Sequence, residues 1–343
     1  MIIPHAINSA RSASTLNRIQ INMWKLLDRV KRRYMFTGWL QFAPTVACGV
    51  LFLLVGFVLP GVLCLSLTLF DVLTVKWGWH PVPEPPPSKA APRFPPSQFS
   101  AVDVIQARRS CRSFQCVPLL PEHRELLDKA CEEAVSTWGG GVVQIHFVTA
   151  PNLRVWPVMG AHEFLVVLVP GGEYSRSAII AAGAAVQHVV LSATREGISS
   201  CIIGPGADQR SVREAIQVRE EEQHVVCVCA VGYASRYIPS FIRLASALMH
   251  RLRLPVNELV LPDSRTSLSS RVKDLIQVCR TAPSSYNAQP TRVALRKSTL
   301  GEDTEEVVLT TRPESTSRYY DPVALGAWVA TWKWAGGGQV EVV

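Results

Sequence analysis

The stretch Gln106 to Gln115, QARRSCRSFQ, puts Arg108, Arg109 and Arg112 within five residues, with no carboxylate between them. Guanidinium forks hold phosphates and carboxylates through paired N–H donors, so this cluster suits an anion with several oxygens. If the helical pattern before it continues, Arg108 and Arg112 stand one turn apart, where like charges destabilise an isolated helix by roughly a few tenths of a kcal/mol. A second stretch, APSSYNAQPTR at 282–292, has the residue types of a helix end running into a turn. Pro283 sets the turn, and Ser284, Ser285 and Asn287 offer short side chains that hydrogen-bond planar heteroatoms or nearby backbone. Taken singly, each has a plain reading: a solvated basic face and an ordinary turn.

Metal chemistry is not expected. The nine cysteines are scattered with no CxxC pair, and AHEFL at 161–165 lacks the second histidine of a zinc-protease helix. Cys227 and Cys229 alternate in HVVCVCAVGY, which reads as a buried strand using thiols as small apolar residues. Reduced cysteines fit a reducing compartment.

The elements around these motifs divide the chain. Residues 1–35 form a basic arm with Arg11, Arg18, Lys25, Arg29, Lys31, Arg32 and Arg33 against one acid, Asp28. The net charge of +8 therefore belongs mainly to the arm, and with no nucleic-acid-binding motif the body is not expected to bind nucleic acid. The arm is Ser-containing and acid-poor, as a mitochondrial presequence would be. From Phe36 to Phe70 there is no charged residue, a run longer than the roughly 20 apolar residues a bilayer span needs. Residues 36–75 are read as a membrane anchor. Pro60-Gly61 either kinks one span or turns a hairpin, and the basic cluster Lys25 to Arg33 places the N-terminus on the cytosolic or matrix side. Residues 76–98 are a proline-rich spacer between membrane and body.

The body, from residue 99, is mixed α and β. AVDVIQARR and PEHRELLDKACEEAV carry helical patterns, VVQIHFVTA and EFLVVLVP strand patterns. AIIAAGAAVQHVVLSATREG is a long apolar helix ending at Gly197, QRSVREAIQV a short helix, and HVVCVCAVGY a buried strand. The second part echoes the first. CEEAVSTWGGGVVQIHF (131–147) laid over CRTAPSSYNAQPTRVAL (279–295) matches Cys131 with Cys279, Ala134 with Ala282, Ser136 with Ser284 and Trp138 with Tyr286. AAGAAVQHVVLSATREG has a weaker echo in VALGAWVATWKWAGG. The expected body is thus a half-repeat at 99–260 followed by a shortened one at 261–343, a monomer that carries its own pseudo-dimer partner.

In this order, RRSCRSF, GAAVQHVVLSATREGISSCIIG, VVCVCAVGY and APSSYNAQPTR resemble the FMN-dependent nitroreductase family, in the branch with two half-repeats in one polypeptide. The resemblance implies an α+β nitroreductase-like fold preceded by the N-terminal transmembrane segment. It implies FMN as cofactor, NADH or NADPH as co-substrate, and a small nitroaromatic or quinone-like electron acceptor as partner. Position by position, it implies that Arg108, Ser110 and Arg112, with Arg109, hold the phosphate and ribityl chain. Pro283, Ser284, Ser285 and Asn287 would form the partner turn at the flavin ring, with Gln289 and Arg292 in support. Ile203 and Gly204 would approach the ring near N5, and Arg251 and Arg253 would complete the phosphate site. No catalytic side chain is expected, because the flavin carries the chemistry. In the first half, Val135 and Gly139 stand where the turn has Pro283 and Asn287, and SRTSLSSRVKDL poorly replaces the arginine motif in the second. One FMN per chain follows. Two alternatives stand beside this reading: a flavin-binding or degenerate membrane-tethered scaffold, and a reductive dehalogenase of iodotyrosine deiodinase type.

Overall fold

The computed structural model describes residues 42–76, 84, 100–151, 153, 155, 158–204, 209–217, 222–240, 242–243, 253–264, 268–297, 305–312 and 317–343. Two apolar helices, α1 (Ala43–Leu54) and α2 (Val58–Asp71), come first. They turn on each other at Gly56 (φ 90), not at Pro60-Gly61. Pro60 falls in the first turn of α2, where a missing N–H costs nothing. The two helices meet closely at small residues: a Cβ on Gly61 would come within 3.0 Å of the Gly49 carbonyl. By length and composition, only one described helix could cross a bilayer, Arg176–Arg195, and it is mostly buried in the body.

The hairpin stands on the body through polar contacts at its base. The Asp71 carboxylate accepts from the Ser240 N–H at 2.8 Å and from its hydroxyl at 3.4 Å. Glu84 accepts from the Ser235 hydroxyl and, at 3.1–3.2 Å, from the Arg236 N–H. Beside these, Phe42, Met159 and Ile242 form a small apolar cluster.

In the body, α3 (Ala101–Ala107) opens with a capping box in which Ser100 and Asp103 each satisfy the other's backbone N–H. Then follow α4 (Pro121–Trp138), β1 (Gln144–Thr149), β2 (Glu163–Pro170), α5 (Arg176–Arg195), β3 (Ser199–Ile203), α6 (Gln209–Ile216) and β4 (Gln223–Gly232). These strands form an antiparallel sheet in the order β1-β2-β4-β3. Strands β2 and β4 are central and covered on both faces, which is why they read as near-continuous apolar runs without alternation. Gly197, at φ 74, follows the end of α5 as its position in the sequence predicts. Cys131, Cys201, Cys227, Cys229 and Cys279 are buried free thiols; burial pushes Cys131 and Cys227 up to about 12.

The second part is built from α7 (Val256–Leu259), α8 (Ser270–Cys279), β5 (Thr291–Lys297), β6 (Glu305–Thr311), α9 (Tyr320–Trp334) and β7 (Val340–Val342). Its sheet has the order β5-β6-β7, with β7 parallel to β6. Its core gathers Leu259, Ile276, Cys279, Val293, Leu309, Leu325 and Trp332. Helices α5 and α9 join the parts. A Cβ on Gly183 would sit 2.3 Å from the Val323 carbonyl, and one on Gly326 would sit 1.9 Å from the Ile180 carbonyl. Each glycine thus meets the residue three positions before the other glycine, the exchange expected at a two-fold crossing. Gln187 and Thr331 hydrogen-bond across this buried contact at 3.1 Å.

Candidate functional site

The arginine motif does not continue the helix. The last helical residue of α3 is Ala107, and Arg108 turns extended (ψ 126). The chain then runs beside β3: Ser110 bridges Ser200, and the Cys111 N–H donates to the Ser200 carbonyl at 2.8 Å. Pairing with a sheet edge satisfies the backbone and removes the i,i+4 repulsion that a helix would impose on Arg108 and Arg112. The expectation of helix through Arg109 is corrected on this point.

Arg108 is only 6% exposed. It donates to the Ser110 hydroxyl at 3.5 Å and to the Thr281 carbonyl at 3.3 Å, 173 residues away. Arg253 donates to the same Thr281 carbonyl at 3.3 Å and to that of Ala282 at 3.1 Å. Two guanidinium groups, distant in sequence, therefore share a carbonyl of the second part, just past the end of α8. Burial, then Arg253, Arg109 and Arg112, press the Arg108 guanidinium down to about 9. Burial, then Arg280 and Arg109, press Arg253 down to about 10. Neither Arg108 nor Arg253 forms an ion pair among the described residues. The electrostatics of this corner call for an anion.

Arg112 donates to the Ser110 carbonyl at 3.5 Å. Arg109 is exposed and bends back to the carbonyls of Gln106 and, at 2.8 Å, Arg108. It sits at the rim, while Arg108 and Arg253 form the floor. Arg251 lies outside the described residues.

The APSSYNAQ turn meets this floor directly. Ser285–Asn287 makes one 3-10 turn, and Tyr286, Asn287 and Gln289 take φ of 55, 55 and 47. Left-handed backbone is uncommon for side chains other than glycine, and three such residues within four mark a turn held by its surroundings. The Ser284 hydroxyl accepts from the Gln289 N–H at 3.0 Å. Buried Gln289 in turn accepts from the Leu254 N–H at 2.8 Å, which fixes the segment carrying Arg253. Arg292 donates back to the carbonyls of Gln289 and Thr291, both at 2.8 Å. Gln289 and Arg292 are therefore positioning residues. Pro283 and Ser284 line a small cavity with Arg280, Gln289, Ala324 and Trp328.

Ile203 and Gly204 end β3 on the other side. A Cβ on Gly204 would lie 3.5 Å from the ring of Tyr320, at the start of α9, and Tyr320 meets Tyr286 edge-on at 6.1 Å between centroids. The three motifs are thus linked at one junction: arginine segment to Thr281, turn to Leu254, and β3 to the turn through two tyrosines. The sequence did not single out Thr281, Ala282 or Tyr320 as site residues. The first two act through backbone carbonyls, which carry no side-chain signal, and Tyr320 matters by where α9 begins.

The family described as "Putative TM nitroreductase" matches residues 101–312, more than half of the chain. No curated protein matches. Among solved structures, a putative nitroreductase from Thermotoga maritima is similar at 14% identity and a TM-score of 0.42, over 69% of this chain and 83% of its own. A nitroreductase family protein from Clostridium difficile is similar at 16% and 0.37, over 48% and 98%. A nitroreductase with bound FMN from Desulfitobacterium hafniense is similar at 18% and 0.34, over 41% and 93%. With the matched residues running from the start of α3 past the end of β6, and so through both motifs, the chain belongs to the nitroreductase family.

Proposed function

We propose that the chain is a membrane-anchored, FMN-dependent NAD(P)H oxidoreductase that reduces nitroaromatic or quinone-like acceptors at one flavin site between two half-repeats. The observation that carries this is the convergence of Arg108 and Arg253 on the Thr281 carbonyl. A buried cation and a partly buried one on the same carbonyl fit a phosphate, which would accept from both forks. Family membership makes the flavin phosphate the natural candidate.

In this reading Arg108 and Arg253 hold the phosphate, with Ser110 and Arg112 beside it and Arg109 at the rim. Ser284, Ser285 and Asn287 present hydroxyl and amide groups to the flavin, on a turn whose shape Gln289 and Arg292 maintain. The end of β3 at Ile203-Gly204 offers its backbone to the ring, and Tyr320 and Tyr286 close that side to water. Bound FMN would supply electron transfer from NADH or NADPH to the acceptor. The protein's task is to hold, orient and shield, so no acid or base side chain is assigned.

The reciprocal contact of Gly183 and Gly326 supports the reading of a duplicated chain, with α5 and α9 as equivalent helices. A single site is supported by the fate of the first half's turn. There Trp138 donates from its indole to His188 Nδ1 at 3.4 Å, and Lys333 lies over its ring at 5.1 Å. Trp138, the counterpart of Tyr286, is thus packed against His188, and the turn after it, Gly140-Gly141, carries no side chain to offer a flavin. The apolar segment 36–75 supports the anchor.

The site is tested by Arg108→Ala with Arg112→Ala. The purified double variant should lose flavin absorbance while keeping its circular dichroism spectrum; flavin retained at the wild-type ratio would refute the assignment.

A further inference from the structure

The apolar hairpin is a surface whose partner the structure constrains. Its helices have 12 and 14 residues; the second runs on through a π-helical segment, Val72–Lys76, but Asp71 is already bonded to the body, so the free apolar lengths reach roughly 18–21 Å at about 1.5 Å per residue. A bilayer's hydrocarbon core is about 30 Å thick, so neither helix crosses it. The tip is the most apolar part: Leu54 and Leu59, on either side of Gly56, are 80% and 81% exposed, and Phe57 is also exposed. Nothing at the tip could sit among headgroups on a far side.

Exposure also runs round the helices. Val50, Leu51, Phe52, Leu53 and Leu54 are consecutive and all exposed, which at 3.6 residues per turn covers the full circumference. A protein partner would cover one face, as would a second copy of this chain; a lipid phase covers all of them. The backbone is prepared for lipid as well. At the turn, the N–H groups of Val55, Gly56, Phe57, Val58 and Gly61 reach backbone carbonyls and Pro60 has none to satisfy, which leaves the Leu59 N–H as the one amide of the turn without a backbone acceptor among the described residues. Thr45 and Thr68 return their hydroxyls to carbonyls of Phe42 and Cys64, both at 2.9 Å. Hydrocarbon makes this demand of every polar group inside it, and water does not.

At the base, the exposed apolar surface stops where Asp71 and Glu84 bind the 235–240 loop. The same loop accepts the Ser113 hydroxyl at the Tyr237 carbonyl (2.7 Å), and Ser113 ends the arginine segment.

We propose that residues 43–71 insert as a monotopic hairpin into one phospholipid leaflet, keeping the N-terminal arm and the body on the same side of the membrane. This rests on the membrane part of the proposed function and not on its flavin part. The anchor is docked to the body rather than tethered, so the arginine segment is held near the lipid surface. Such an anchor needs no second leaflet, and it should also enter the single monolayer around an oil droplet.

The test uses the full chain, tagged at both ends and diluted from detergent onto preformed vesicles of phosphatidylcholine with a minor share of phosphatidylserine. A parallel sample receives triolein droplets coated with the same lipids. The chain should float with both, and external protease should remove both tags from vesicle-bound protein. Leu54→Asp with Leu59→Asp, at exposed positions that do not pack the body, should weaken binding by more than roughly a hundredfold, from the cost of two charges in the hydrocarbon core. One tag protected, or binding to vesicles but not droplets, would overturn the monotopic insertion alone, as would undiminished binding by the Asp variant. Failure to float with either would overturn the membrane reading itself, while flavin content, read from the same sample, is untouched by these outcomes.

Discussion

A buried guanidinium group, Arg108, and a partly buried one, Arg253, that share one carbonyl oxygen oppose folding unless an anion joins them. This gives the site a signature that separates binding from structure. Arg108→Gln or Arg253→Gln should each weaken FMN binding by about 10- to 100-fold, the loss of roughly 1.5–3 kcal/mol in charge-assisted hydrogen bonds. The flavin-free variants should melt no lower than the flavin-free parent, because a repelling charge has been removed. Titration by fluorescence quenching and a melting curve for each variant check both halves of this prediction. Inorganic phosphate should likewise stabilise the flavin-free parent, by RT ln(1 + [L]/Kd), and so raise its melting temperature, and do so less for Arg108→Gln. Equal shifts in both proteins would place the anion elsewhere. At this scale the sequence was informative where side chains carry the chemistry: the arginine cluster and the serine-asparagine turn were visible as residue types. The carbonyls of Thr281 and Ala282 were not, because any residue supplies a carbonyl and only the path of the chain aims it.

Helices α5 and α9 are the elements on which the site's assembly depends, since they bring the two parts of the body together. Gly326→Ala puts a methyl group 1.9 Å from the Ile180 carbonyl, with no flexible side chain to yield. Overpacking of this kind costs about 1–3 kcal/mol or more, which in a chain of this size lowers the melting temperature by several degrees, at about 2–4 °C per kcal/mol. Gly183→Ala should act alike and Gly338→Ala should not, although all three are glycines, because nothing lies within 4 Å of the Gly338 Cβ position and its backbone is not left-handed. The same helix pair holds His188, whose Nδ1 accepts from the indoles of Trp138 and Trp334 at 3.4 and 3.5 Å and so must be unprotonated there. Burial lowers its pKa, outweighing Glu133, which raises it; Lys333 and Arg195 add to the lowering. A base with a depressed folded pKa leaves stability unchanged above its unfolded value, about 6.5. Stability falls as pH drops from there toward the folded value, because the unfolded chain binds the proton first. Urea melts between neutral pH and pH 5 should show this slope, reduced in His188→Gln. Element types were legible from apolar periodicity and from Gly197 after α5. Two boundaries were not: α3 stops before Arg108 because the chain is captured by β3, and the hairpin turns at Gly56 because proline is tolerated in a first helical turn.

At the scale of the whole molecule, the proposal is a dimer written into one polypeptide, with one of its two sites kept. The echo between 131–147 and 279–295 pointed there, and so did the assignment of each motif to a different half. The echo could not show that Gly183 and Gly326 would meet each other's helices, since that depends on how the halves close. Nor could it show that Trp138 would be packed against His188 instead of opening a second turn. Flavin stoichiometry, measured on the full chain purified in detergent and loaded with FMN, tests this most directly, followed by anaerobic titration with NADH and NADPH. The account predicts one FMN per chain, bleached by at least one of the two nicotinamides. A protein that stays colourless after loading, or that binds two FMN per chain, would contradict it.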